Sequence, residues 1–136
     1  KIISPKRLNR IKSIRTMPYP GFPTDAQAPV MAMTTLSKGT SIFIENIFES
    51  RYKHVGELLR LGANIKVEGR VAIVEGVKRL SGAPVEAMDL RGGAALVVAG
   101  LAAQGTTEIF GLKHLDRGYE KIEKNLLLLG ANIKRT

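Results

Sequence analysis

The chain matches itself. A six-residue string, Leu61-Gly62-Ala63-Asn64-Ile65-Lys66, recurs unchanged as Leu129-Gly130-Ala131-Asn132-Ile133-Lys134. Upstream of each copy stands a Gly-Thr pair, Gly39-Thr40 and Gly105-Thr106. A run rich in β-branched and aromatic residues follows, and then an Arg close to a Tyr (Arg51-Tyr52; Arg117-Gly118-Tyr119). Farther upstream an Asp opens each helical stretch, Asp25 in one and Asp89 in the other. Self-similarity of this kind restricts the fold to one built from a duplicated supersecondary unit, whose copies bury their apolar faces against each other.

Each unit reads as alternating strands and helices. The stretch after Asp25 has helix formers and apolar spacing through Leu36, with Pro29 in its first turns, and is expected to stop at Gly39, where a left-handed cap favours glycine. Its counterpart, Leu90 to Ala103, is apolar almost all round and rich in Ala and Gly, which predicts a closely packed helix ending before Gly105. Ser41 to Ile44 and Thr106 to Phe110 carry the signature of short strands. Second helices are expected over His54 to Leu61 and Tyr119 to Leu129, closing at Gly62 and Gly130. Ile65 to Glu68 and Val71 to Val74 then read as paired strands about a turn at Gly69-Arg70, and Val85 to Met88 as the strand that leads into the second copy.

These marks predict an α/β chain of two βαβαβ units, at about 11–75 and 83–136, with an extra hairpin strand in the first and the last strand of the second cut short at Thr136. With its odd basic start, Lys1 to Lys12, such a pattern is expected of a partial domain taken from a larger protein. With 44% hydrophobic residues, 136 residues can bury a genuine core. Apolar stretches such as Ala94 to Ala103 are too short for a membrane span, the basic start leads into Pro18, Pro20 and Pro23 rather than an apolar leader, and the chain has no Cys. These features fit a cytoplasmic protein.

A net charge of +9 raises the question of nucleic acid. The basic residues cluster at the start, however, and the few aromatics do not interleave with them as a stacking platform requires. The alternative is a protein whose Arg side chains converge on anionic small molecules. Arg51, Arg91 and Arg117 occupy comparable places, each just after a strand or at a helix start. They read either as ordinary surface arginines or as a clamp, since a guanidinium matches carboxylate or phosphate in a bidentate fork. Thr24-Asp25, reached through Pro20-Gly21-Phe22-Pro23, is either a helix cap or a carboxylate held where it can take a proton from a substrate hydroxyl. Asp89 and Asp116 could orient a guanidinium or cap a helix. His54 and His114 form no metal-binding spacing, so no metal and no cofactor are assigned. Gly92-Gly93, inside an apolar helix, reads as a site of close packing.

Five strings carry a family resemblance: Phe22-Pro23-Thr24-Asp25-Ala26-Gln27, Phe48-Glu49-Ser50-Arg51-Tyr52-Lys53-His54, Leu80-Ser81-Gly82-Ala83, Asp89-Leu90-Arg91 and His114-Leu115-Asp116-Arg117-Gly118-Tyr119-Glu120. In this order, from about Arg15 onward, the chain resembles the final third of the UDP-N-acetylglucosamine enolpyruvyl transferases, which catalyse the first committed step of peptidoglycan synthesis in building the cell wall. Ser50 departs from the Asn usual in that family, a change expected to be mild. The resemblance implies an inside-out α/β barrel domain, with helices inside and sheets outside. It also implies transfer of the enolpyruvyl group of phosphoenolpyruvate to the 3′-hydroxyl of UDP-N-acetylglucosamine, with release of phosphate.

By the same resemblance, Asp25 matches the carboxylate that contacts the sugar hydroxyl and acts as its base. Arg51, Arg91 and Arg117 match the guanidiniums that bind phosphoenolpyruvate and stabilise the charged intermediate. Ile47 and Phe48 match positions beside the UDP moiety, the former through its backbone, and Asp89 and Leu90 are further substrate-site candidates. The family's loop bearing the catalytic Cys or Asp is not in this sequence, so the chain alone is expected to be inactive and able to self-associate through exposed apolar surface. The shikimate-pathway relative, EPSP synthase, is the nearest alternative. A basic nucleic-acid-binding module, which steep salt dependence of oligonucleotide binding would reveal, and a non-catalytic repeat scaffold are the others.

Overall fold

The computed structural model describes residues 3–136. In chain order its elements are β1 (Ser13–Arg15), α1 (Thr24–Thr34), β2 (Thr40–Ile44), α2 (Val55–Arg60), β3 (Asn64–Glu68), β4 (Val71–Glu75), β5 (Pro84–Glu86), α3 (Leu90–Ala102), β6 (Glu108–Phe110), α4 (Lys113–Asp116) and α5 (Ile122–Leu128). β1 and β2 run parallel around α1, with Ile14 beside Phe43, and β5 and β6 run parallel around α3, with Val85 beside Ile109. The first pair is extended by the β3–β4 hairpin into a four-stranded sheet of order β1-β2-β4-β3, β4 running antiparallel to both neighbours.

The two long helices lie against each other between these sheets. α3 buries Gly92, Gly93, Ala94, Ala95, Leu96, Val97 and Ala99, and α1 buries Gln27, Ala28, Met31, Ala32 and Thr34. On its other sides α3 is packed as closely, and its glycines show how close. A Cβ on Gly93 would stand 2.9 Å from the Leu115 side chain and 3.1 Å from that of Ala87, and one on Gly92 would stand 2.9 Å from His54 Cβ. The expected close-packing role of Gly92-Gly93 is what the geometry provides. Phe43, Leu58, Leu61, Val74 and Leu80 close the core from the sheet side and from α2, each at most 1% exposed.

The repeated hexapeptide is a helix stop. At the end of α2, Gly62 N–H donates to Leu59 O (2.9 Å) and Ala63 N–H to Leu58 O (3.1 Å). At the end of α5, Gly130 N–H donates to Leu127 O (2.9 Å) and Ala131 N–H to Leu126 O (3.0 Å). This is the Schellman arrangement, which needs a left-handed residue after the cap, and both glycines take φ 90°.

Several element ends differ from those expected. α1 ends at Thr34 rather than near Gly39, because the hydroxyls of Thr34, Thr35 and Ser37 fold back onto the carbonyls of Met31, Ala32 and Thr34 (2.7–2.8 Å) and satisfy the helix end themselves. Gly39, at φ 83°, instead turns the chain into β2. The helix expected over Tyr119 to Leu129 is α5 alone, preceded by the short α4, with Lys121 at φ 47° between them. Ile133 lies in no strand, since its counterpart β3 pairs only with β4 and no such partner lies between Ile133 and Thr136.

Two glycines of the first copy test this account with opposite signs. A Cβ added at Gly56 or at Gly62 would meet nothing within 4 Å, so backbone conformation alone decides. Gly62→Ala should lower stability by about 1 kcal/mol, while Gly56→Ala, inside α2, should raise it by roughly 0.5 kcal/mol. Urea denaturation of the two variants distinguishes them.

Candidate functional site

The approach to α1 is folded on itself. Met17 N–H donates to Phe22 O (3.1 Å) and Gly21 N–H to Pro18 O (2.8 Å). Gly21 is confined to glycine because a Cβ there would collide with Met17. This turn delivers Pro23 as the cap residue of α1, with no side-chain cap bond, and places Asp25 second in the helix. Asp25 is therefore not used as a cap. One of its oxygens accepts from Arg51 (2.9 Å) and the other from Arg91 (2.7 Å). The Arg91 bond, opposed by some desolvation and assisted by both positive charges, holds the Asp25 carboxyl below its usual value.

Both guanidiniums rest on aromatic rings. Arg51 lies 5.1 Å from the centroid of Phe48. Arg91, second residue of α3, lies 5.7 Å from that of Tyr119 and donates to the Tyr119 hydroxyl (2.9 Å). Ser50, just before Arg51, takes φ 55°, a left-handed conformation that Asn adopts more readily than Ser. The Ser50 departure thus falls where the backbone turns to present Arg51.

Asp25, Arg51, Asp89, Leu90, Arg91 and Arg117 all line one open cavity of about 480 Å³, together with Met88 and His114. Six of the eight expected site residues are thus brought together, from both copies of the repeat. Their duties differ. Asp89 caps α3, its carboxylate accepting from Gly92 N–H (2.7 Å), so of its two possible roles the structure gives it the cap. Arg117 is exposed, and its guanidinium makes no hydrogen bond or ion pair among the described residues. Asp116 does not orient it, being paired with Arg135, which lowers the Asp116 carboxyl.

Phe48 and Ile47 sit to one side. Phe48 lines a neighbouring cavity of about 360 Å³ that shares Arg51 and is bounded by Glu45, Tyr52 and Arg70. Ile47 lines neither cavity, and its N–H is committed to Glu45 (2.9 Å). Tyr52 donates to the carbonyls of Phe43 or Arg70 (3.2 and 3.1 Å), and burial, with the Glu45 charge, pushes its hydroxyl up to about 12. His54 is buried and lines neither cavity, and that burial pushes it down to about 4, so it is neutral at neutral pH and supplies no base at the surface. Sequence reasoning passed over Met88, Tyr119 and Glu45 as site residues, and set His114 aside as a base without placing it at the cavity. For Tyr119 the signal was available in the Arg-Tyr marks shared by the two copies.

Among the described residues no helix is long and apolar enough to cross a membrane. The chain is 62% identical over 122 residues to UDP-N-acetylglucosamine 1-carboxyvinyltransferase 1 of Caldanaerobacter subterraneus, covering 90% of this chain and 29% of that protein. It is 56% identical over 130 residues to UDP-N-acetylglucosamine 1-carboxyvinyltransferase 3 of Symbiobacterium thermophilum, covering 96% and 30%. The crystal structure of the enolpyruvyl transferase NikO from Streptomyces tendae superimposes with a TM-score of 0.85 at 30% identity, covering 95% of this chain and 30% of that one. The chain thus spans about 30% of the length of the relatives it matches. The family model of EPSP synthase (3-phosphoshikimate 1-carboxyvinyltransferase) matches residues 2–126, and on that match the chain belongs to the EPSP synthase family of carboxyvinyl transferases.

Proposed function

We propose that this chain supplies the anion-binding side of an active site that moves the enolpyruvyl group of phosphoenolpyruvate to the 3′-hydroxyl of UDP-N-acetylglucosamine. The observation that carries this reading is a carboxylate bracketed by two guanidiniums, with a third guanidinium, unpaired among the described residues, across the same cavity. Such a cluster suits a small substrate bearing both phosphate and carboxylate. The names of the relatives supply the sugar nucleotide as acceptor.

In this reading Asp25 takes the proton of the sugar hydroxyl as its oxygen bonds to C2 of phosphoenolpyruvate. The methylene carbon is protonated by an acid from outside this chain. Arg51, Arg91 and Arg117 offset the charge of the tetrahedral intermediate, whose C–O bond to phosphate then breaks as the methyl carbon returns its proton. Phe48 and Ile47 border the nucleotide, and Asp89 and Leu90 shape the cavity wall. The same reading puts the protein in the cytoplasm and excludes nucleic acid as its partner. The segment alone, with Leu128 and Leu129 over 80% exposed, would self-associate through them.

A base held in two ion pairs is a weak one. Phosphoenolpyruvate would draw the guanidiniums onto its own oxygens and release the carboxylate, so binding of the anion should switch the base on. Titration of the Asp25 carboxyl carbon by NMR should therefore give a higher pKa with phosphoenolpyruvate bound than without it; an unchanged or lower value contradicts the switch. The sign for folding is opposite. Because the free folded state depresses this pKa below 3.8, the pairs add stability above that pH and lose it as pH falls through the lower folded value.

Phosphate release from the two substrates tests the function itself. The whole protein that carries this segment should turn over and the segment alone should not, while Asp25→Ala in the whole protein should lower kcat by about 10²–10⁴-fold. Absence of turnover in the whole protein would remove the assignment.

A further inference from the structure

We propose that Glu45, a residue that touches no substrate in the reading above, is the positioning residue that sets both the Asp25 side and the Ile47–Phe48–Arg51 side of the site. The proposal rests on that reading for its kinetic arm and on geometry for the rest. Glu45 directly follows β2 and is 1% exposed. Its neighbour Arg70 pairs with Glu49 instead (3.6 Å), so among the described residues no cation offsets the buried charge. Four donors do. Oε1 accepts from the Thr16 hydroxyl (2.8 Å) and from the N–H groups of Ile47 (2.9 Å) and Phe48 (3.1 Å), and Oε2 accepts from the Thr24 hydroxyl (3.0 Å).

Those donors come from three separate stretches. Thr16 follows β1 and also accepts from Asn46 N–H (2.9 Å), so three successive amides, 46 to 48, are fixed by one small network. Thr24 opens α1 and adjoins Asp25. Phe48 carries the ring on which Arg51 rests. The Asp25–Arg51 pair therefore hangs, on both sides, from one carboxylate. Burial pushes the Glu45 carboxyl up, and the four donors outweigh it, leaving it ionised throughout the physiological range. A buried charge is a poor device for stability alone, since apolar replacements often serve better, whereas it fixes directions well.

The chemistry of replacement gives a test. In Glu45→Gln the amide oxygen can keep the three bonds of Oε1 while its NH₂ donates to the Thr24 oxygen, because a hydroxyl can accept as well as donate. In Glu45→Ala all four donors lose their acceptor. In Thr24→Val only the link to the Asp25 side is lost.

The experiment combines steady-state kinetics on the whole protein, using UDP-N-acetylglucosamine and phosphoenolpyruvate, with amide hydrogen exchange on the same samples. For Glu45→Gln, KM for the sugar nucleotide should change less than about threefold and the amides of Ile47 and Phe48 should stay protected. For Glu45→Ala, exchange at those two amides should accelerate by at least about tenfold while amides of β4 keep their rates, and KM for the sugar nucleotide should rise by about tenfold or more. Thr24→Val should lower kcat by about tenfold with exchange at Ile47 and Phe48 unchanged. Acceleration spread evenly over the chain, or unchanged exchange and KM in Glu45→Ala, would overturn the proposal. If Glu45→Ala does not fold, a Thr24→Val protein with undiminished kcat would overturn it equally. Should the unsubstituted protein turn over neither substrate, the functional reading fails, and the exchange rates still decide whether Glu45 holds this loop.

Discussion

Helices α1 and α3 meet through faces made largely of small side chains, and the site exists because of how near that brings their first turns. Asp25 stands in the first turn of one and Arg91 in the first turn of the other, 2.7 Å apart. The pair cannot itself be what holds the helices. Its side chains are 57% and 27% exposed, and ion pairs at such positions contribute at most about 1 kcal/mol. Burial of Met31, Ala28, Leu96 and Ala95, none more than 1% exposed, involves far more apolar area. The charges are thus brought together by apolar packing and stabilised against repulsion by their own arrangement, not the reverse.

How far the sequence was legible follows from what each feature depends on. The hexapeptide marks helix ends because a left-handed glycine after the cap is a local requirement, and both copies meet it at Gly62 and Gly130. The arginines could be picked out because each stands just after a strand or at a helix start, two of them, Arg51 and Arg117, close to a Tyr. Their convergence with Asp25 could not be derived from spacing, since it depends on which helix packs on which; the family resemblance carried that step. The end of α1 was misplaced because three hydroxyl side chains compete with glycine for the helix terminus, and such bonds have no periodic mark.

Glu45 was overlooked for a more instructive reason. Inward positions along β2 alternate as Ser41, Phe43 and then Glu45, which continues the same period one step beyond the strand. Strict alternation would have placed this carboxylate inside. Composition argues against burying a glutamate, and only the donors that surround it, drawn from sequence positions far apart, resolve the conflict. Arg7 behaves similarly among the basic residues of the leading segment: it donates to the carbonyls of Leu36, Ser37 and Val77 (3.1–3.2 Å), so part of the charge that suggested a polyanion partner serves the fold.

The two aspartates that open the long helices have different fates, and a shift of two residues relative to the cap separates them. Asp89 is the cap of α3 and spends its carboxylate on Gly92 N–H. Asp25 comes two places after the cap position, which a proline fills with no side chain for the task, so α1 begins without a side-chain cap. A cap of this kind is worth about 1 kcal/mol. One copy, then, keeps the local stability of a cap, and the other holds its acid on two guanidiniums rather than on the helix end, which leaves that acid able to answer to a ligand that competes for them.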